Sequence, residues 1–187
     1  MASETGICNR ALQLLGATRI TSLADTNSKS ARECSVAYEP LRDALLRRYP
    51  WVFAITRAQL AEDVATPSFG FAHQYTLPTD CMRVLPNSDA TNDWVIEGRK
   101  ILTDWAAPLN IRYVKKIVDP NEMDPLFREV LSTRIAEETC EALTNSATKK
   151  AVIKQALDDI MADAVRTGGL EQGPPVWREA SWVEASR

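Results

Sequence analysis

At 187 residues, with 45% apolar and 25% charged side chains, the chain has an ordinary globular composition, enough for one good core or a core with a small appendage, which excludes a disordered protein. A net charge of −3 and a pI of about 5.3 weigh against a protein that grips nucleic acid, because that affinity comes from clustered Lys and Arg neutralising phosphates. No apolar run approaches the ~18 residues of a membrane span, and the opening MASETGICNR lacks the basic and apolar regions of a secretion signal, so synthesis in a cytoplasm without membrane passage is expected.

Residues 3–16, SETGICNRALQLLG, read as a short helix: Ser3 or Thr5 caps it, Ile7, Ala11, Leu14 and Leu15 share one stripe, and Gly16 stops it. The loop ATRITSLADTNSK leads to a longer helix from about Ser28 to Tyr49, where Ala31, Cys34, Tyr38, Leu41, Leu45 and Tyr49 recur at three- or four-residue steps. Pro40 inside it removes a backbone donor and predicts a kink. Pro50 ends it. The next segment, WVFAITRAQLAE, is apolar without a decisive period, and Trp51 and Phe53 are expected to fold back onto the helices as core.

From about 69 to 118 the period shortens: YTLP, MRVLP, WVIE, KILT and IRYVKKIV are rich in β-formers. WVIEGRKILT reads as strands at 94–97 and 100–103 joined by Gly98-Arg99, a two-residue hairpin with glycine first in the turn. Helices resume at Asp124, a cap followed by Pro125 in the first turn, and Phe127, Leu131, Ile135, Thr139 and Leu143 line one face. After NSAT a last helix carries Ile153, Leu157, Ile160, Met161, Ala164 and Val165, and it is expected to stop at Gly168-Gly169. The expected fold is mainly α: a helical bundle over residues 1–167 with one small antiparallel β insert (about 69–118) and an extended C-terminal tail, 168–187.

Signatures of common chemistries are missing from the sequence: no GxGxxG, Walker-type GK[ST], HExxH or GxSxG occurs. Cys8, Cys34, Cys81 and Cys140 are far apart in apolar contexts and fit structural free thiols better than disulfides. With one histidine, His73, neither a zinc site nor a nucleophile–histidine device is well supplied, and an imidazole hydrogen-bonded at a strand end is the simpler reading. Asp158-Asp159 and Glu137-Glu138 offer paired carboxylates of the kind glycoside hydrolysis uses, but on helices solvated acidic faces explain them better. The cations Arg42, Arg47 and Arg48 suit an interaction surface or, more simply, a solvated helix face. No catalytic, cofactor-binding or metal-ligating residue is assigned, and no cofactor is expected.

The tail, GGLEQGPPVWREASWVEASR, is the distinctive segment. Each tryptophan takes roughly 150–250 Å² out of water when buried, so Trp177 and Trp182 need a cover. Gly168 and Gly169 release the chain, Pro174 and Pro175 stiffen it, and the last eighteen residues can reach roughly 60 Å. Docking on another subunit and folding back over its own helices are both open, and docking is favoured, with Pro174, Pro175, Trp177, Trp182 and Arg187 as contact residues.

Three blocks, CNRALQLLGATRITSLAD, YEPLRDALLRRYPWVFAITRAQLA and YTLPTDCMRVL, resemble the head-to-tail adaptor family of short-tailed bacteriophages, also called tail tubular or tail accessory proteins. The likeness runs from about Ile7 to Val165 and keeps the order of helices, β insert and helices. It implies a non-enzymatic virion protein at the head–tail junction, made in the host cytoplasm: a homo-oligomeric ring, typically a dodecamer. Such a ring docks on the portal protein, meets a downstream tail or nozzle protein, and lets DNA pass during ejection without sequence-specific binding or membrane contact. In related connectors an extended C-terminal arm contacts the portal, which would cover Trp177 and Trp182. Two other classes remain open: a tail-associated enzyme cleaving peptidoglycan with two carboxylates, and a DNA-binding packaging factor, which the acidic balance disfavours.

Overall fold

The computed structural model of the chain describes residues 1–86 and 93–171. Helix α1 (Glu4–Leu15) begins where Ser3 accepts a hydrogen bond from the Gly6 N–H and ends at Gly16, whose φ of 65° suits glycine. Helix α2 (Lys29–Arg48) is capped by Ser28, whose hydroxyl accepts from Ala31 N. Pro40 lies inside α2, and the Val36 carbonyl that loses its helical donor there belongs to a residue exposed to water. Helix α3 (Pro125–Thr144) starts on the Asp124 carboxylate, which accepts from Leu126 and Phe127, and closes at Asn145. Only Asn145 and Ser146 separate it from α4 (Ala147–Glu171), so α4 folds back along α3.

Helix α3 is the hub, packing against α1, α2 and α4. Its buried residues include Phe127, Val130, Leu131, Ile135, Ala136 and Cys140, spread around more of the helix than the single face expected from sequence. Polar side chains buried there satisfy themselves locally: Ser132 and Thr133 donate to the Glu129 carbonyl and Thr139 to that of Ile135. All four cysteines are free and buried. The neighbouring Cys34, then burial, holds the Cys8 thiol well above the ordinary thiol range, so it stays protonated.

Six strands follow a different plan from the one expected. β1 (Ile55–Leu60), β6 (Leu109–Lys115) and β3 (Cys81–Leu85) form one antiparallel sheet in the order β1-β6-β3. β2 (His73–Thr76), β5 (Lys100–Thr103) and β4 (Trp94–Glu97) form a second, in the order β2-β5-β4. The β4–β5 hairpin turns at Gly98-Arg99, with Gly98 at φ 60°. The chain is thus a mixed α/β fold, with 48% of the described residues in helices and 18% in two three-stranded sheets, and not a mainly helical bundle with one small β insert. The insert reading fails because β1, outside residues 69–118, pairs along its whole length with β6, and because successive segments cross between two sheets instead of forming one meander.

The first sheet separates two cores. One face meets the helices through Val114 and Leu85, with Ile55 packed beside them; the other meets the second sheet in a cluster of Leu60, Tyr75, Ile101, Leu109, Ile111 and Tyr113. Trp51 fixes the junction. Its indole Nε1 donates to the Leu45 carbonyl at 2.9 Å, and its ring stands edge-on to Phe127 at 4.9 Å and to Tyr49 at 5.3 Å. Phe53 completes the aromatic group, 5.1 Å from Phe127.

Two further corrections concern helix ends and charges. α4 does not stop at Gly168-Gly169 but continues to Glu171. Its last turns line a cleft with Trp51, Val52 and Phe53, so the helix runs on beside that segment despite the roughly 1 kcal/mol a helical glycine costs relative to alanine. Arg42 is not on a solvated face: it is 2% exposed and bonds Asp43 at 2.8 Å and Glu39 at 3.2 Å. Lys116, just past β6, reaches the same carboxylates, and Asp43 raises its pKa above the ordinary lysine value, so the network straps α2 to the sheet.

Replacing Trp51 with alanine should cost about 3–5 kcal/mol through the cavity it leaves, read as a lower urea midpoint with an unchanged slope. Asp63 gives a pH-dependent counterpart, since it bonds Lys100 at 2.9 Å and the Thr76 hydroxyl at 2.9 Å. Lys100 chiefly, with Thr76, depresses its pKa. A carboxylate so depressed stabilises the fold above its unfolded pKa and loses that contribution as pH falls through the folded value. Asp63→Asn should therefore lower stability at pH 7 by up to ~1 kcal/mol, with the gap to wild type closing below about pH 4 in urea titrations.

Candidate interaction surfaces

The tail residues singled out from sequence, Pro174, Pro175, Trp177, Trp182 and Arg187, lie outside the described residues. His73 opens β2 and pairs its Nδ1 with Glu62 Oε1 at 2.7 Å, the strand-end hydrogen bond expected of it. Glu137 and Glu138 both bond Arg134, the latter at 3.2 Å. Asp159 accepts from the Gln155 amide at 3.1 Å, and neither it nor Asp158 lines a described cleft. Among the described residues no three His, Cys, Asp or Glu side chains are grouped as a metal site requires, and no helix is long and apolar enough to cross a membrane.

Of the cations at the end of α2, Arg47 donates to the Met82 carbonyl, and the Arg48 carbonyl accepts from Arg83 at 3.3 Å. Both contacts tie α2 to β3. Arg47 thus serves the helix–sheet junction with its side chain and Arg48 with its backbone carbonyl alone, and both side chains are exposed, as a solvated helix face requires.

A second set of cations is left uncovered. On the helix-facing side of the first sheet, Ile55 of β1 lies opposite Val114 of β6 beneath the helices, and the next row outward sets Arg57 opposite Arg112. The row beyond sets Gln59 opposite Asn110, joined by a 3.2 Å side-chain bond. These side chains line a shallow groove open to solvent. Among the described residues no carboxylate lies within ion-pair reach of Arg57 or Arg112, nor does either guanidinium donate a hydrogen bond. Like charges directly opposed across an antiparallel pair destabilise it. Arg57 and Arg112 thus stand as an opposed cationic pair without an internal counter-charge among the described residues.

The outer side of α4 is the other unpartnered surface. α4 packs chiefly on α3, so the face turned away from α3 is open. Val152, Asp159, Asp163 and Leu170 are spaced seven, four and seven residues apart, which places them on one line of the helix. Val152 is 67% and Leu170 80% exposed. Sequence reasoning missed both surfaces. The pairing of Arg57 with Arg112 depends on a long-range register, whereas the line on α4 was readable from its spacing.

If the strip serves recognition and not folding, Arg57→Gln should leave stability unchanged or raise it by up to ~0.5 kcal/mol in dilute, low-salt thermal melts, by relieving the opposed charges. A loss above about 1 kcal/mol would instead make Arg57 part of the fold's own support. Compared with protein-family models and with curated proteins, the chain matches none.

Proposed function

We propose that this chain is a structural virion protein that forms a homo-oligomeric ring between the portal vertex and the tail of a short-tailed bacteriophage and continues the DNA channel. The observation that carries the reading is the ordered resemblance of three blocks, from CNRALQLLGATRITSLAD through YTLPTDCMRVL, to the head-to-tail adaptor family. That family supplies the expectation of a dodecamer, a portal partner above and a tail or nozzle protein below.

Two physical features support it. A closed ring of identical chains needs heterologous contacts, in which one patch of each copy meets a different patch of the next. The open arginine row on the first sheet and the open face of α4 are two such unlike patches on one chain. The net charge of −3 also suits a conduit, since a strongly basic lining would retain the polyanion it has to pass.

The docking element in this reading is the segment beyond α4. Truncation after Glu171, or Trp177→Ala with Trp182→Ala, should cut co-sedimentation with portal particles at least ~10-fold, as loss of aromatic anchors does at interfaces, while the melting temperature of the free chain stays within a degree or two. Unchanged attachment refutes the docking role, and a large fall in melting temperature favours a tail folded onto its own helices. Negative-stain images of chain and portal test the ring itself. Peptidoglycan clearing on a zymogram, abolished by one Asp or Glu substitution, would replace the structural reading with an enzymatic one.

A further inference from the structure

The two open surfaces are opposite in charge, and each holds like charges together. On the sheet, Arg57 and Arg112 are direct cross-strand partners, whose side chains start roughly 4.5–5.5 Å apart. On α4, Asp159 and Asp163 stand one turn apart, with Cβ atoms about 5–6 Å from each other. Like charges at that spacing repel by a few tenths of a kcal/mol. Neither acid is strongly compensated: Asp159 is met by the Gln155 amide. Asp163 is met by Arg166 at 2.5 Å, but these side chains are 52% and 77% exposed, and exposed pairs contribute little. Asp158 is also exposed and has no ion pair or hydrogen bond among the described residues.

Resting on the ring reading, we propose that the Arg57–Arg112 row of each copy receives the Asp159 and Asp163 carboxylates of the next copy's α4. The two spacings match, so each guanidinium meets one carboxylate. A planar guanidinium fork takes a carboxylate through two parallel hydrogen bonds, which sets register as well as attraction. The Gln59 and Asn110 amides lie beside the pair and supply neutral donors at its edge.

The flanks of the acidic pair identify the partner as protein. Val152 and Leu170 stand on the same line, at its two ends, both largely exposed. An acidic ridge with apolar ends repels nucleic acid, and covering those ends removes apolar surface from water only if another polypeptide lies along α4. A second copy is favoured over an unrelated protein because this chain already carries the complementary row. The contact is head-to-tail, so each copy keeps one free row and one free ridge until the ring closes.

Charge exchange tests this on the full chain. The variants are Arg57→Glu with Arg112→Glu, Asp159→Arg with Asp163→Arg, and a chain carrying all four changes, each checked for wild-type circular dichroism. Association is followed by sedimentation velocity of the free chain and by copy number on portal particles. Wild type should associate at about 0.1 M salt and dissociate near 1 M, where the Debye length falls to about 3 Å. Each two-site variant alone should lose at least tenfold in association. An equimolar mixture of the two should regain it, because every contact then joins Glu to Arg or Arg to Asp, and the four-site chain should associate unaided. Wild-type association that neither charge reversal weakens overturns the contact and leaves the ring reading standing. Reversals that weaken association without rescue on mixing also overturn it, by sending the two surfaces to different partners. Wild type that associates neither free nor on portals overturns both readings. Binding of duplex DNA by wild type that is lost with the arginine changes reassigns the row to nucleic acid.

Discussion

The alternation of one strand holds the molecule together. β6 lies in the middle of the first sheet, and its period of two sends Leu109, Ile111 and Tyr113 into the core between the sheets and Val114 into the core under the helices. Because the sheet is covered on both faces at that end, Tyr113 and Val114 are neighbours in sequence and both buried. Tyr113 reaches Asp80 with its hydroxyl at 3.1 Å, and burial, then that carboxylate, pushes its pKa up to about 12, so it remains a neutral donor. A one-residue slip of β6 would exchange the two sets and leave neither core filled.

The same alternation explains the arginine row. Moving outward along β6 from Val114, the next residue on that face is Arg112 and the next is Asn110. The helices cover the first of these positions and have ended before the others, so a face that is core at one end becomes solvent surface at the other. β1 follows it with Ile55, Arg57 and Gln59. The row is therefore fixed by backbone pairing, without help from loops, the rigid placement that the proposed contact requires. The edge strand β1 holds one of its arginines and the central strand the other, so both depend on the pairing that carries the fold.

What the sequence showed and hid divides along physical lines. Helix starts and the hairpin were legible because their causes are local: Ser3, Ser28 and Asp124 each satisfy helix-terminal N–H groups within three residues, and Gly98 supplies the turn's positive φ. β1 was hidden because ITRAQL is half covered by helices on one side and by a sheet on the other, giving it no clean period of either kind. Arg42 was misread because helical spacing says nothing about Asp43 and Lys116 closing over it. The continuation of α4 through Gly168-Gly169 was hidden because that pair is a genuine local stop signal, while the helix there lies beside Val52 of a distant segment. Local rules set where elements begin; tertiary contact decided where they end and what they are.

In a chain with net charge −3, the cations that support the fold are separate from those left open on its surface. Cations that serve the fold are closed within it: Arg42 and Lys116 on Asp43, Arg47 and Arg83 on backbone carbonyls, and Arg10 on Glu129 at 2.6 Å. Each of those groups has an internal acceptor, and for the buried Arg42 the pairing also offsets the cost of desolvating its charge. Arg57 and Arg112 lack any such acceptor among the described residues, so their removal leaves nothing orphaned. The proposed contact with the next copy accounts for residues whose absence the fold would tolerate, kept where they repel each other. The exposed line on α4 obeys the same logic with the opposite sign, since an acidic pair between two uncovered apolar side chains contributes nothing to the packing of α4 on α3.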